Sequence, residues 1–530
     1  MVKLSKLYLI LIFFISAFIR FFVGFKYYFL HGDLLIYLTL AKNFPCHLYF
    51  NKSFYLFHPP MYAYIIGIFN FFINNDYIAG ILVSFFFFLV SFIVLVKLFF
   101  LLKKSIYWVC VFMLFFTFNL RLFFFSTLIM RELMVFALFW LTIFFFIKGL
   151  KKSDFNFIYS GIFGAMLVLT SDLAVTILPI FILTFLFFYN KKKIVPALFS
   201  FLSALTAYLF WLLLKLKVYL GNIYYPIMDG FIENVNNFNI FQLYSPALFP
   251  LVSSFASYHS SPTITLFLKH IRYFFTVLLN LIPPFNIPMI SPSLFGLKEY
   301  LLLIFIYIPI IFFISLTIIK TIINLKKFKI YNNASLYFIL LSIILLLPIM
   351  EIGSVPRHSI QVIAVLIFFI TEGIFIFLNK LKLLKIMKYL PLVIILLLFL
   401  LPFWIINNPY PITSLKSETI GSDAADYINI LDGDGVMALN VPIAYLTDKR
   451  EIPLYPNPEK LNFFIELYNI TYIVFNFNED DPYLQFHKRT FDYIFEHPEK
   501  YKLLKTIEEN YNRDYDLVPQ NNKFYVFLVK

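Results

Sequence analysis

What most constrains this chain is a succession of apolar runs, each about as long as a bilayer is thick, punctuated by short clusters of lysine. LYLILIFFISAF near the N-terminus and YIAGILVSFFFFLVSFIVLVKLFFLL after Asp76 carry almost no charge. Roughly 20 such residues wound into a helix span the hydrocarbon core. In lipid a backbone must satisfy its own N–H and C=O groups, which a helix does within one segment. Charged residues make up only 14% of the chain, against about a quarter in soluble proteins. The expected fold class is a polytopic α-helical membrane protein with about eleven transmembrane helices, followed by a small C-terminal α/β soluble domain.

The net charge of +14 does not point to nucleic acid, because of where the positive residues lie. Lys103-Lys104, Lys151-Lys152, Lys191 to Lys193, Lys326-Lys327 and the lysines from Lys380 to Lys388 all fall between apolar runs. Cytoplasmic loops of membrane proteins carry this excess. Placing every cluster in the cytoplasm orders the crossings: 7–25 outward, 77–102 inward, 106–125 outward, 133–147 inward, 157–170 outward, 173–189 inward, 194–214 outward, 300–319 inward, 334–350 outward, 360–378 inward and 389–406 outward. Two more apolar helices, 61–72 and 264–281, stay at the external surface, since a crossing by either would export a lysine cluster. The N-terminus is then cytoplasmic, and the C-terminal domain external. Lys3 and Lys6 precede an apolar run with no small-residue cleavage site, which reads as a retained first span. The two cysteines, Cys46 and Cys110, supply neither a disulfide framework nor metal spacing.

The composition changes after Asn407. Of the chain's 29 acidic residues, 19 lie beyond that point, with only 12 of its 43 lysines and arginines. Short β-rich runs at 436–440, 472–476 and 524–529 alternate with helical patterns at 422–431 and 458–468, which predicts a layered α/β domain. The expected division is 1–407, a transmembrane domain with an external loop at 26–76, and 408–530, an external domain. The second part has no phosphate-binding glycine loop, zinc spacing or nucleophile elbow. The sequons at Asn51 and Asn469 are external on this topology.

Ten acids precede Asn408: Asp33, Asp76, Glu132, Asp154, Asp172, Asp229, Glu233, Glu299, Glu351 and Glu372. The topology puts all but Asp154 and Glu372 outside, either because lysine bias leaves acids there by default or because a reaction centre faces outward. Asp33 stands out. It follows the first span in a polar loop, with Tyr37 and Ala41 one and two helical turns on, and then His58-Pro59-Pro60-Met61-Tyr62. This pattern resembles the first external loop of the GT-C membrane glycosyltransferases, which include protein O-mannosyltransferases and the aminoarabinose transferase of lipid A.

The resemblance implies an enzyme that takes a sugar from a dolichyl- or polyprenyl-phosphate donor and passes it to a protein, glycan or lipid acceptor, with inversion. It implies that Asp33 is the general base or a metal ligand, and that Glu132, after the third span, is its partner. Two carboxylates would suit a divalent cation such as Mg²⁺ or Mn²⁺. A leaving lipid phosphate needs cations at the interface, for which Arg357, Arg131 and Arg20 are the candidates. His58, Tyr37, Lys52, Asp172 and His358 are possible substrate-binding residues. Each also has a structural reading: snorkelling for Lys52, a turn cap for His58, packing for Tyr37. The chain departs from its relatives in two respects. Gly32-Asp33-Leu34 holds one acid where protein O-mannosyltransferases have an Asp-Glu pair. The WWDYG signature of oligosaccharyltransferases is missing, which points away from transfer of a whole oligosaccharide to asparagine. A flippase for lipid-linked glycans and a non-catalytic scaffold are the competing classes.

Overall fold

The computed structural model describes residues 2–26, 33–42, 59–220, 297–325, 334–352 and 360–383, then 422–433, 435–438, 449–453, 469–477, 490–511 and 520–530, with a few isolated positions between. The expected helix 264–281, the eleventh span beyond Tyr389 and the sequon at Asn51 lie outside the described residues. The chain divides into two units. One comprises Met1–Phe25, Ile81–Phe210 and Ser260–Asn408; the other comprises Lys26–Gly80, Trp211–His259 and Pro409–Lys530.

The first unit is helical. α1 (Val2–Lys26), most of α4 (Asp76–Leu101), α5 (Ile106–Phe118), α6 (Leu120–Thr127), α7 (Glu132–Lys151), α8 (Phe155–Val168) and α9 (Ile177–Phe187) follow the expected apolar runs; α2 (Asp33–Lys42) and α3 (Met61–Ile73) belong to the second unit. α10 (Ile194–Leu220), α11 (Leu297–Leu325), α12 (Ala334–Ile352) and α13 (Val362–Lys380) complete the series, with α10 ending in the second unit. Among the described residues, five helices are long and apolar enough to cross a bilayer: Lys6–Phe25, Asp76–Leu101, Glu132–Lys151, Lys191–Leu213 and Val362–Lys380. Shorter apolar helices lie among them, and the molecule is a multi-pass membrane protein.

The expected third span is two helices. Asn119 takes an extended conformation (φ −63°, ψ 110°), and its side-chain oxygen accepts a hydrogen bond from the Leu122 amide at 3.0 Å. An asparagine that caps a new helix in this way ends the old one. α7 is matched to its helix dipole, with Glu132 in its first turn and Lys148 and Lys151 in its last.

Aromatic side chains fill the core of this unit. Phe99 packs on Trp108 and Phe112 at centroid distances of 4.8 and 4.4 Å, and Phe338 on Phe368 at 4.3 Å. Tilted and edge-on ring pairs add to simple burial. α11 and α13 come closer than side chains normally allow: a Cβ on Gly373 would lie 2.1 Å from the Phe313 carbonyl oxygen. Beside that contact Thr317 Oγ1 donates to the Phe369 carbonyl at 2.8 Å. Small residues and hydroxyls are the usual means of joining helices in lipid.

The C-terminal part of the second unit is a five-stranded mixed sheet in the order β2-β1-β3-β5-β4. Its strands are β1 (Gly435–Ala438), β2 (Arg450–Pro453), β3 (Tyr472–Phe477), β4 (Tyr501–Tyr511) and β5 (Gln520–Val529). β1 is parallel to β2 and β3, and β5 is antiparallel to β3 and β4. Successive residues of β3 face opposite ways. Tyr472 and Val474 join a cluster with Ala424 and Ile428 of α14 (Ser422–Asn429), while Ile473 and Phe475 join one with Leu461, Ile465 and Ile494. Apolar side chains thus cover the sheet on both faces, the arrangement typical of α/β layers.

Candidate functional site

Asp33 is the first residue of α2 (Asp33–Lys42) in the second unit, where the dipole of a helix favours a carboxylate. Leu34, Tyr37, Leu38 and Ala41 are buried, and their three- and four-residue spacing lays one face of α2 against a neighbour. The neighbour is α3 (Met61–Ile73), with Tyr62, Ala63 and Ile66 buried in turn. The Tyr37 and Tyr62 rings meet edge to face, 4.9 Å between centroids at 86°. Pro60 is the N-cap of α3, and its carbonyl accepts from the Tyr64 amide at 3.0 Å; a proline at a helix start forfeits no bond. The Tyr37 ring thus anchors the short helix that Asp33 opens. The Asp33 side chain itself, like His58, Lys52, Arg357 and His358, lies outside the described residues.

The other candidates belong to the first unit. Arg20 is 1% exposed within α1. Its Nη1 donates to Ser16 Oγ at 2.6 Å and its Nη2 to the Thr117 carbonyl at 2.8 Å. The guanidinium carbon lies 4.1 Å from the Phe88 ring centroid and 4.9 Å from that of Phe123. A cation inside a membrane helix is costly unless polar and π partners replace water. Here four residues do so, and three polar atoms remain over: Arg20 Nε, Thr117 Oγ1 and Asn119 Nδ2 are buried without a hydrogen-bond partner among the described residues. The cluster collects where the α5–α6 break exposes backbone. The sequence singled out Arg20 but not Ser16, Thr117 or Asn119; the available signal was Ser16, four residues before Arg20 on the same helix face.

Arg131 and Glu132 are adjacent at the start of α7, Arg131 as the N-cap and Glu132 in the first turn, 5% exposed. Asp172 opens a short 3₁₀ segment, Asp172–Thr176, that leads into α9; its side chain lies outside the described residues. The two acids that topology assigned to the cytoplasm both pair with lysines assigned there. Lys104 Nζ lies 2.6 Å from Glu372 Oε2, to which Trp108 Nε1 also donates at 3.1 Å. Lys193 pairs with Asp154. Among the described residues no three His, Cys, Asp or Glu side chains come together as a metal-binding group.

No family model matches the sequence, and no match to a curated protein is found. Solved structures do share the fold. The oligosaccharyltransferase of Archaeoglobus fulgidus in complex with Zn and sulfate superposes with a TM-score of 0.54 at 13% identity, over 88% of this chain and 68% of that one. The same archaeal enzyme, AglB, with an inhibitory peptide and a dolichol-phosphate gives 0.51 at 14% identity, over 89% and 69%. ArnT from Cupriavidus metallidurans bound to undecaprenyl phosphate aligns over 98% of this chain and 97% of its own, with a TM-score of 0.43 at 9% identity. At such identities the similarity to the archaeal enzyme is one of fold.

Proposed function

We propose that this chain is a membrane glycosyltransferase that moves a sugar from a polyprenyl-phosphate-linked donor to a protein, glycan or lipid acceptor on the external face. The observation that carries the reading is Asp33 at the head of a short helix fixed by Tyr37 on Tyr62, in a chain with the fold of an archaeal enzyme solved with a dolichol-phosphate. The topology that goes with it has about eleven crossings, a cytoplasmic N-terminus, a transmembrane domain over 1–407 and an external domain over 408–530.

In this mechanism Asp33 takes the proton from the acceptor hydroxyl or amide as its oxygen or nitrogen attacks the anomeric carbon. The bond from that carbon to the phosphate oxygen breaks, and the lipid phosphate leaves with the electron pair. Positioned proton transfer of this kind contributes about 10²–10⁴ in rate, and attack opposite the leaving group inverts the anomeric centre. Arg131 and Arg357 hold the departing phosphate. Arg20 is the third cation assigned to the phosphate, and its Nε is buried without a hydrogen-bond partner among the described residues. Glu132 supports the base. His58, Tyr37, Lys52, Asp172 and His358 are assigned to substrate contacts or to shaping them. Asp33 and Glu132 are oxygen donors suited to Mg²⁺ or Mn²⁺, and the archaeal neighbour was solved with Zn. The described residues form no complete ligand set, and no step above passes through a cation.

The absence of WWDYG favours a single-sugar donor over a whole oligosaccharide. The test is mass spectrometry of surface glycans, glycolipids and glycoproteins from cells with and without the gene. Loss of one hexosyl or pentosyl increment supports the assignment; an unchanged glycan profile together with transport of intact glycolipid in vesicles would replace it with a flippase.

A further inference from the structure

Where α4 and α7 both end, a cleft of about 960 Å³ opens, lined by five lysines: Lys97, Lys103, Lys148, Lys151 and Lys152. No carboxylate lines it among the described residues. Lys103 takes a left-handed conformation (φ 60°), and the Lys104 amide reaches back to the Phe99 carbonyl at 2.9 Å, closing the end of α4. Lys151 Nζ donates to the Leu101 carbonyl at 3.3 Å, tying the two helix ends together. Lys97 and Lys148 sit about one helical turn, roughly 5 Å, inside those ends. The positive lining is therefore about as deep as the headgroup layer of a bilayer.

The remaining wall is apolar and mostly aromatic. Phe100, Phe144, Phe145 and Phe188 share the cleft, and Lys148 Nζ lies 5.4 Å from the Phe145 centroid while Lys151 Nζ lies 5.0 Å from that of Phe188. Two helix C-termini contribute about half a negative charge each, which leaves most of five positive charges uncompensated. Topology requires lysines near helix ends; it does not require them to converge from two helices on one shared cavity.

We propose that this cleft is a binding site for the phosphate headgroup of an anionic phospholipid in the adjoining leaflet. The lysines take the phosphate oxygens, and the phenylalanines take the glycerol and the first methylenes. A free inorganic phosphate offers the same oxygens but nothing for the aromatic wall. Basic pockets between transmembrane helices are suited to such headgroups. The proposal rests on the helix ends alone and does not depend on the transfer reaction.

The test uses the full-length protein in nanodiscs of mixed phosphatidylglycerol and phosphatidylcholine, released for native mass spectrometry. The wild type is expected to retain phosphatidylglycerol at least tenfold over phosphatidylcholine. The Lys97→Gln, Lys148→Gln, Lys152→Gln triple variant is expected to lose that preference, and the corresponding Lys→Arg triple to keep it. Equal retention of the two lipids by the wild type would overturn the proposal, and this comparison needs no variant to fold. Undiminished preference in the Gln triple would also overturn it. Displacement of phosphatidylglycerol by millimolar inorganic phosphate would overturn the lipid assignment in favour of a free-anion site.

Discussion

Lys104 and Glu372, 268 positions apart in sequence, are joined by a 2.6 Å ion pair that ties the start of α5 to α13. Each side chain is a little under one-fifth exposed, and Trp108 completes the cluster from both sides. Its indole N–H donates to the same carboxylate oxygen, and its ring lies 5.1 Å from the lysine ammonium. Because the pair is mostly buried, removing one partner strands the other away from water.

Glu372→Gln and Lys104→Met are each expected to destabilise the detergent-solubilised protein by about 1–3 kcal/mol. The double variant should recover part of that loss. Thermal unfolding of the four proteins as a double-mutant cycle measures the coupling, and strictly additive losses would show that the pair is not energetically joined.

Arg20 allows its structural and donor-binding roles to be separated. Arg20→Met removes a buried charge and fills the space with a side chain that packs on Phe88 and Phe123, so stability should stay within about 1–2 kcal/mol of wild type. If Arg20 holds a donor phosphate oxygen, the KM for the lipid-phosphate sugar rises about tenfold or more with little change in fold. An unchanged KM would remove Arg20 from the donor site.

The C-terminal sheet carries its own pH signature. Tyr501 is buried, and its hydroxyl donates to Asn462 Oδ1 at 2.6 Å. Burial, then the neighbouring Tyr493 and Glu499, push its pKa well above the ordinary value of 10.0. The folded state therefore holds this proton more tightly than the unfolded chain does. Below pH 10 both states are protonated and the full contribution is present; as pH rises from there towards the folded value, the unfolded chain ionises first and stability falls. Tyr472, whose hydroxyl donates to the Asp432 carbonyl, is shifted the same way by burial, Asp432 and Tyr427. Circular dichroism across alkaline pH should show unfolding of the sheet that becomes shallower in Tyr501→Phe.

The apolar runs made most helices legible, because length and hydropathy alone dictate a helix in lipid: α4, α7 and α13 begin and end within four residues of expectation. Asn119 is not legible because the polar residues of FTFNLRLFFF leave the run apolar on average, although its capping bond ends a helix. In the sheet, β3 and β5 read as β-branched and aromatic runs and β1 as a short apolar one. β4 was not, because a bulge between Leu503 and Lys505 shifts its phase, with Tyr501 packed into one cluster and Ile507 into the other. A charged strand with broken alternation suits a sheet edge. β2, only four residues long and ending in Pro453, occupies the other edge, where a missing N–H is tolerated.

At the candidate site the sequence showed which residue types are present but not what holds them. Asp33 and Tyr37 could be paired by helical spacing, whereas Tyr62, more than twenty residues further on, becomes the partner of Tyr37 only through the packing of α2 on α3. The partners of Arg20 come from four helices, α1, α4, α5 and α6. The lysines were legible as markers of topology, yet their convergence on one cleft depends on where two helices end, which no run of residues encodes locally.

Whether Asp33 acts as the base is decided by a transfer assay with the purified full-length protein in nanodiscs. The substrates are a labelled polyprenyl-phosphate sugar and an acceptor taken from the glycan comparison above, with wild type and Asp33→Asn run in parallel. The wild type is expected to label the acceptor and Asp33→Asn to do so at least about 10²-fold more slowly, with both proteins equally folded by size-exclusion elution. Asp33→Asn labelling at the wild-type rate would contradict that role.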